Sequence, residues 1–443
     1  MSAVMWFRRD LRLDDNPAWS AATSEHGEVT ALFIVDQRLL DAAGDLRRNL
    51  LIANLNALDA DLKERGGRLR IEAGEASSVL ANHGGTVYWN ADYSPYAIAR
   101  DGRVRKQVER HEVFHGNFIH YPGHVLKDDG DPYRVFTPYY RRWIETDWPK
   151  VSMAEGTADI AGETGQGIPS GADPIIEPGT AGARKRLETF TDVVDQYPDY
   201  RNDPGRDDTS HLSADLKFGT ISPRTIWDHL GTGSEGRRSF LRQLCWRDFY
   251  AQVLYYFPHS AKASLKPGYD DIGWLNDPVD IEAWKTGQTG YPFVDAAMRQ
   301  LVATGWMHNR TRMVTASFLV KHLLVDWRIG ERFFMENLID GDPAQNIGNW
   351  QWVAGTGTDA APYFRVFNPI SQSKKFDPKG VYIRRFVPEV AALDDRDIHA
   401  PWDAPPLALA EAGIELGQTY PTPLIDHAFA RERVLTAYKT ALS

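Results

Sequence analysis

The sequence predicts a parallel α/β domain followed by an all-helical domain. Strand-like and helix-like stretches alternate through the first 125 residues, residues 151–183 contain no Lys or Arg, and beyond Arg184 helical periodicity takes over.

In the first part, the β-rich runs AVMWF, VTALFIVD, RLRIEAG, TVYWN and EVFHGNFI are separated by helical stretches. The clearest of these places Leu51, Leu55, Leu58 and Leu62 at spacings of four, three and four, one face of an amphipathic helix. Strand and helix alternating in this way imply a doubly wound parallel sheet covered on both faces. No GxGxxG follows any strand, so an ordinary dinucleotide site is not indicated. Residues 151–183 hold five acidic residues, seven Gly and three Pro, the composition of a loose connector. Helical patterns then run over roughly 184–196, 222–230, 236–257, 291–304, 309–324 and 425–441. The expected organisation is an α/β domain at 1–125, a linker at 126–183 and a helical domain at 184–443.

Composition bounds the function. At 443 residues and 50.0 kDa the chain exceeds what one core normally serves. Aromatics reach 12%, with 14 Trp, and such rings serve flat ligands as well as cores. The single cysteine, Cys245, excludes an internal disulfide framework, a Cys-ligated iron–sulfur cluster and a Cys-rich zinc site, and suits a reducing compartment. The start, MSAVMWFRRDLRL, has too short an apolar run for a signal peptide, and no run of 18 apolar residues occurs. A cytoplasmic protein without a membrane span is expected. The net charge of −10 argues against coating nucleic acid, but residues 361–390 set six basic residues (Arg365, Lys374, Lys375, Lys379, Arg384, Arg385) against Asp377 and Glu389, a local net of +4. That region is either a solvated loop or a seat for a phosphate backbone.

Several side-chain groupings invite chemistry. In FLRQLCWRDFY, Gln243, Trp246, Arg247 and Tyr250 share one helical face, which needs polar partners because an unpaired buried amide costs about 1–3 kcal/mol. That face meets another helix or lines a pocket. TGWMHNRTRM repeats the feature with Asn309, Arg312 and Met313, and DGDPAQN puts Asp340 and Asp342 in a turn where they could meet Arg312 or a ligand. Thr209, Ser210 and Ser213 precede helical sequence and suit an N-cap or a phosphate. His111, His115, His120 and His124 lie on strand and loop without Cys or paired acidic ligands, so no metal site is expected. NIGNWQWVAGTGTD places Trp350 and Trp352 two apart among Gly, Asn and Thr, where no amphipathic element accounts for them.

WFRRDLRLDDNPA, FLRQLCWRDFY, GYPFVDAAMRQLVATGWMHNRTRM, IDGDPAQNIGNWQW and GTGTDAAPYFRVFNPISQ, in this order, resemble the photolyase and cryptochrome flavoproteins, and within them the class I cyclobutane pyrimidine dimer (CPD) photolyases. The resemblance implies an antenna-binding α/β domain, a long connector and a helical domain that binds FAD and DNA. It implies that Tyr197, Thr209, Ser210, Leu212 and Ser213 hold the pyrophosphate and ribityl region, that Trp246, Arg247, Asn309, Arg312, Asp340 and Asp342 line the rest of the FAD site, and that Asn346 lies beside flavin N5. Trp350, Trp327 and Trp274 match the inner, middle and outer members of an electron-transfer chain. Gln243, Trp246, Asn309, Arg310, Met313 and Trp352 match the pocket for a flipped-out dimer in UV-damaged DNA, with Trp246 and Trp352 as aromatic walls. Members of the family split the dimer by electron transfer from photoexcited reduced FAD, and stacking at about 1–3 kcal/mol per base helps offset the cost of flipping. Arg310 and the basic 361–390 region would hold flanking phosphates. A monomer is the family expectation.

Two departures qualify the match. Gln243 stands where class I enzymes commonly carry a Glu, as in (6-4) photolyases and animal cryptochromes, whereas HNRTRM lacks the paired histidines of the (6-4) group. The acidic residue of folate-binding members is replaced by Ala97, while Arg9, Asp36, Arg47, Asp92 and Lys217 match positions used by deazaflavin-binding (8-HDF) members. A deazaflavin antenna is therefore expected, ahead of no antenna and of folate. Signalling cryptochromes usually end in a long low-complexity tail, and this sequence stops at Ser443 after HAFARERVLTAYKTAL, which favours repair over light sensing.

Overall fold

The structure is a computed structural model that describes residues 2–150, 156–359 and 365–443. Its sheet contains β1 (Ser2–Phe7), β2 (Glu28–Val35), β3 (Leu69–Ala73), β4 (Thr86–Asn90), β5 (Arg110–Phe114) and β6 (Asp159–Ile160). The order is β3-β2-β1-β4-β5 with every pairing parallel, and β6 pairs with Glu28 and Val29 at the start of β2. Alternation along β1 explains how both faces are covered. Ala3, Met5 and Phe7 join a core with Trp19, Leu55 and Leu58, while Val4 and Trp6 join Leu80, Val87 and Trp89 on the other side. The five expected strand runs are thus all present, and β6 is an addition from the segment read as a connector.

The helices that carry the residues discussed below are α1 (Pro17–Glu25), α2 (Asp45–Glu64), α3 (Phe136–Glu145), α4 (Ser213–Phe218), α5 (Glu235–Tyr256), α6 (Asn309–Ser317), α7 (Trp327–Asn337), α8 (Pro343–Ala354), α9 (Pro369–Phe376), α10 (Val381–Phe386) and α11 (His427–Ala441). Two expectations change here. The stretch read as a connector contains the ten-residue helix α3, while its residues 151–155 lie outside the described residues. The Trp350 and Trp352 segment is helical, because Pro343 at the first turn starts α8 and the chain stays helical through Ala354 before the left-handed Gly355.

The chain divides into two compact units. One takes in the chain through Pro198, Ser210–Pro258 and Ile339–Gln345; the other takes in Asp199–Thr209, His259–Leu338 and Asn346–Ser443. Compactness and secondary-structure class divide the chain differently, since α4 and α5 group with the sheet.

Within the first unit, α5 begins at Ser234, whose Oγ accepts from Arg237 N at 3.2 Å, and runs unbroken until Phe257 precedes a proline. It buries two consecutive charges. Arg247 donates to the carbonyls of Asn117 (2.5 Å) and Leu216 (3.2 Å), and Asp248 Oδ2 accepts from His120 N (2.9 Å) and Trp143 Nε1 (3.0 Å). Burial pushes the Asp248 carboxyl up to about 7, against those hydrogen bonds.

A carboxyl whose folded pKa lies above its unfolded value stabilises the fold at low pH, and that contribution is lost as pH rises through the folded value, here across roughly pH 4 to 7. Asp248→Asn retains an oxygen for both donors and cannot ionise. Its urea midpoint relative to the parent protein is therefore expected to improve steadily from pH 5 to pH 8; an offset that does not change with pH would contradict this origin.

Candidate functional site

The α5 face predicted from sequence is present. Gln243 donates from its amide to the Ser239 carbonyl one turn back (3.1 Å), Trp246 is half-buried, and the Arg247 guanidinium lies 4.4 Å over the Phe118 ring. Phe136 of α3 stacks flat on Trp246 at 3.5 Å between centroids.

A second grouping sits where the strand order reverses, between β1 and β4, the place at which parallel sheets commonly bind ligands. Arg9, just after β1, ion-pairs with Asp342 and lies 3.6 Å from Asp92, just after β4. Burial works against the charge on Arg9, but Asp342 and Asp92 outweigh it and hold the guanidinium above its ordinary value. Asp342 is held well below the usual carboxylate range, since Arg9, Lys217 and Arg247 overcome its burial. Loss of solvation and the neighbouring Arg9 push Lys217 down to about 7. Residues assigned to the antenna (Arg9, Asp92, Lys217) and to FAD (Asp342, Arg247) thus form one electrostatic cluster. Asp36 stands apart, capping the next helical turn and pairing with Arg38 at 2.7 Å, and Arg47 donates to Ala42 O at 3.4 Å. Asp340 precedes Asp342 in the same turn, and Asp342 pairs with Arg9.

Ser210, Leu212 and Ser213 form the entry to α4, where Leu212 is the N-cap residue and no side chain caps the helix; Ser210 Oγ instead accepts from Leu212 N at 3.4 Å. Tyr197 packs edge-on against Phe240 at 5.5 Å. Thr209 closes the short 199–209 segment that belongs to the second unit.

In that second unit, Asn309, Arg310, Arg312 and Met313 follow the cap residue His308 on α6. Asn309 Nδ2 approaches Met313 Sδ at 3.8 Å, and Arg312 Nε donates to Met307 O at 2.7 Å. Arg310 donates to Asn202 Oδ1 at 2.7 Å and lies 4.2 Å over Phe376 of α9, which puts it beside Lys374 and Lys375. Of the basic stretch, 361–364 lie outside the described residues, as does that part of the GTGTDAAPYFRVFNPISQ motif.

On α8, Asn346 Nδ2 donates to the Glu331 carbonyl (2.9 Å) and to Glu331 Oε1 (2.8 Å), which turns the amide oxygen away from Glu331. Trp350, one turn later, is 2% exposed and meets Phe334 at 5.0 Å and Trp284 at 6.2 Å, both edge-on. α7 passes so close that a Cβ at Gly330 would lie 2.2 Å from Trp350 Cη2. Trp327, three residues before Gly330, is buried, and Trp274 is half-buried against Tyr438 at 6.1 Å. Trp352 is half-buried.

Each unit holds groups that suit FAD: in the second the Asn346 amide hydrogens go to Glu331 and leave its oxygen as an acceptor, and in the first Ser210 and Ser213 stand at a helix entry without a side-chain cap, as an anionic linker needs. Glu331 and Phe136 were missed by sequence reasoning; no motif marks them, because each acts through a partner distant in the chain. Among the described residues no group of three His, Cys, Asp or Glu could hold a metal. His115 stacks on Tyr121 at 3.7 Å, and His120 Nδ1 lies 2.9 Å from His124 Nδ1. No helix of the described residues is long and apolar enough to cross a membrane.

Comparison with known proteins agrees with the motifs. Residues 3–155 match the family described as DNA photolyase, and residues 240–440 match the FAD binding domain of DNA photolyase. A deoxyribodipyrimidine photo-lyase of Agrobacterium fabrum is 39% identical, over 98% of this chain and 97% of its own. Among solved structures, a class III photolyase from Agrobacterium tumefaciens superposes with TM-score 0.93 at 39% identity, covering 100% of this chain and 98% of that one. An archaeal photolyase from Sulfolobus tokodaii, solved with two FAD molecules, gives 0.86 at 34% identity, covering 99% and 100%. A cryptochrome of Synechocystis sp. PCC6803 gives 0.90 at 27% identity, covering 98% and 99%.

Gly330→Ala forces its methyl against the Trp350 ring and Leu319, and should cost roughly 1–3 kcal/mol of stability with a changed near-UV tryptophan signal. Gly273→Ala, where nothing lies within 4 Å, serves as the neutral control in the same urea titration.

Proposed function

The chain belongs to the DNA photolyase family, and on that premise we propose that it is a light-dependent repair enzyme that splits cyclobutane pyrimidine dimers after the lesion is flipped out of the duplex. The observation that carries this reading is the orientation of Asn346, whose amide hydrogens are both spent on Glu331, which leaves its oxygen as the acceptor that a flavin N–H would need. FAD, when bound, supplies the light-driven one-electron donor.

The chain's own residues do the rest. In the first unit Gln243 presents an amide to a base edge and Trp246 a ring on which a pyrimidine can stack; in the second Trp352 offers a further ring, and Asn309 and Met313 lie together on α6. Arg310, braced by Asn202 and Phe376, and the neighbouring Lys374 and Lys375 take the flanking phosphates. Trp350, Trp327 and Trp274 serve as the relay that restores the reduced cofactor. Their burial fits the order, since the first two are nearly sealed from water and Trp274 is partly open. For a second chromophore we favour a deazaflavin, on the match of Arg9, Asp36, Arg47, Asp92 and Lys217, with folate less favoured; extraction of the bound pigments tests this against a second FAD, as in the Sulfolobus structure. We place the enzyme in the cytoplasm as a monomer.

Two alternatives rest on specific features. Gln243 favours a (6-4) photolyase, and the likeness to the Synechocystis protein favours a light-sensing cryptochrome. The test is recovery of thymine absorbance, in blue light and in darkness, from oligonucleotides carrying a cyclobutane dimer or a (6-4) product, using anaerobically reduced enzyme. Recovery on the cyclobutane substrate alone, and only in light, is expected. Gln243→Ala should raise KM for that substrate by about tenfold, one hydrogen bond to a buried base edge. Absence of recovery on either lesion, with FAD bound and photoreducible, would leave the sensor as the better account.

A further inference from the structure

The contact between Phe136 and Trp246 is unusual in its geometry. The centroids are 3.5 Å apart and the planes differ by 4°, whereas free aromatic pairs prefer offset or edge-on contact. Surrounding structure imposes it. Phe136 is 1% exposed, and its helix α3 is fastened to α5 two turns further on, where Trp143 Nε1 donates to Asp248 Oδ2 at 3.0 Å and the Trp143 carbonyl meets His120 Nε2 at 3.0 Å. Phe249 stands edge-on to both rings, at 5.7 Å and 80° from Phe136 and 5.6 Å and 82° from Trp246. Phe136 is therefore locked, and the indole it covers is not free to tilt. Trp246 itself stays half-buried.

We propose that Phe136 is a positioning residue for the damaged base: by occupying one face of Trp246 it fixes the plane of the indole on which a pyrimidine can stack. The proposal rests on the reading of Trp246 as a wall of the lesion pocket. It gives a helix from the segment between the two sequence-defined domains a part in lesion recognition that is exerted through Trp246. A flat surface held in advance also spares the complex the ordering of a mobile indole on binding.

The holoenzyme carrying Phe136→Leu, which keeps apolar volume but removes the flat partner, tests it. Affinity for an oligonucleotide with one cyclobutane dimer is measured by fluorescence anisotropy, beside an undamaged oligonucleotide, FAD content and the unfolding midpoint. The expected result is a loss on the order of tenfold for damaged DNA only, with KM raised and kcat within about twofold, as for a lost uniform binding interaction. Phe136→Tyr, which restores the plane, should recover the affinity. Equal losses on both oligonucleotides, a fall in kcat with KM unmoved, or no change would each overturn the proposal. Should the Leu variant not fold, Phe136→Met is read by the same criteria. Trp246→Ala run in parallel separates the two levels: lesion affinity lost there but kept in Phe136→Leu refutes the role of Phe136 alone, and lesion affinity kept in both refutes the reading of Trp246 and the proposal with it.

Discussion

Two neighbouring charges on α5, Arg247 and Asp248, are buried, and the way each is satisfied decides where the surrounding chain must go. A buried ion without partners would cost several kcal/mol. Neither charge is neutralised by the other through a direct ion pair; both are answered mainly by backbone. Arg247 takes the carbonyls of Asn117 and Leu216, Asp248 takes the amide of His120 and the indole N–H of Trp143, and the carbonyl of Arg247 accepts from Gln345 at 2.9 Å. Four separate pieces of chain are thereby pinned to two consecutive residues of one helix: the segment after β5, the end of α4, the helix α3 and the first turn of α8. Gln243, Trp246 and Phe136 inherit their positions from that arrangement.

The same economy governs the switch point of the sheet. Arg12, 2% exposed, donates to the carbonyls of Gly219 (2.9 Å), Asp15 (2.9 Å) and Gly116 (2.6 Å), and burial lowers its pKa to about 10. Gly219 must be glycine there, since it has φ +68° and a Cβ would lie 2.1 Å from the Arg9 carbonyl. With the chain after β1 held against α4, Arg9 reaches Asp342, while burial, with Arg9 close by, weakens the Lys217 ammonium despite Asp342 and Asp92. A charge arriving near Asp92 or Lys217 would be felt at Asp342 through Arg9, so the residues matched to the antenna and those matched to FAD are not electrically independent.

What was legible in the sequence follows from this. The sheet was readable because β1 to β5 are short apolar runs bounded by turn residues, and the Leu55, Leu58 and Leu62 stripe was readable because it repeats at helical spacing. The shared face of α5 was readable for the same reason. The helix α3 was not, because FTPYYRRWIE follows a Gly, Asp and Pro-rich turn and lies in a stretch whose neighbours are polar; its apolar positions are aromatic and find partners only on α5. The pairing of Asp342 with Arg9 was not legible either, because Arg9 is 333 residues away in sequence and no local pattern carries that distance. Motifs resembled class I enzymes, while whole-chain similarity extends to a class III photolyase, a distinction that shared motifs do not make.

The helix α8 shows how one regular element can divide labour that composition alone leaves ambiguous. Residues 346 and 350 are four apart and fall on one face; 350 and 352 are two apart and point about 200° away from each other. Asn346 and Trp350 are accordingly both buried, the first turned by Glu331 and the second clasped by Phe334 and by α7 at Gly330, while Trp352 is half-exposed. The buried face thus holds the two residues matched to redox chemistry, where a low-dielectric setting without competing water preserves hydrogen-bond orientation. The other face carries the ring matched to a base, where access is required. The segment looked unlike an amphipathic helix because each of its faces mixes aromatic with polar residues: Asn346, Trp350 and Gln351 are buried together, while Asn349 is exposed and Gln345 and Trp352 are half-buried.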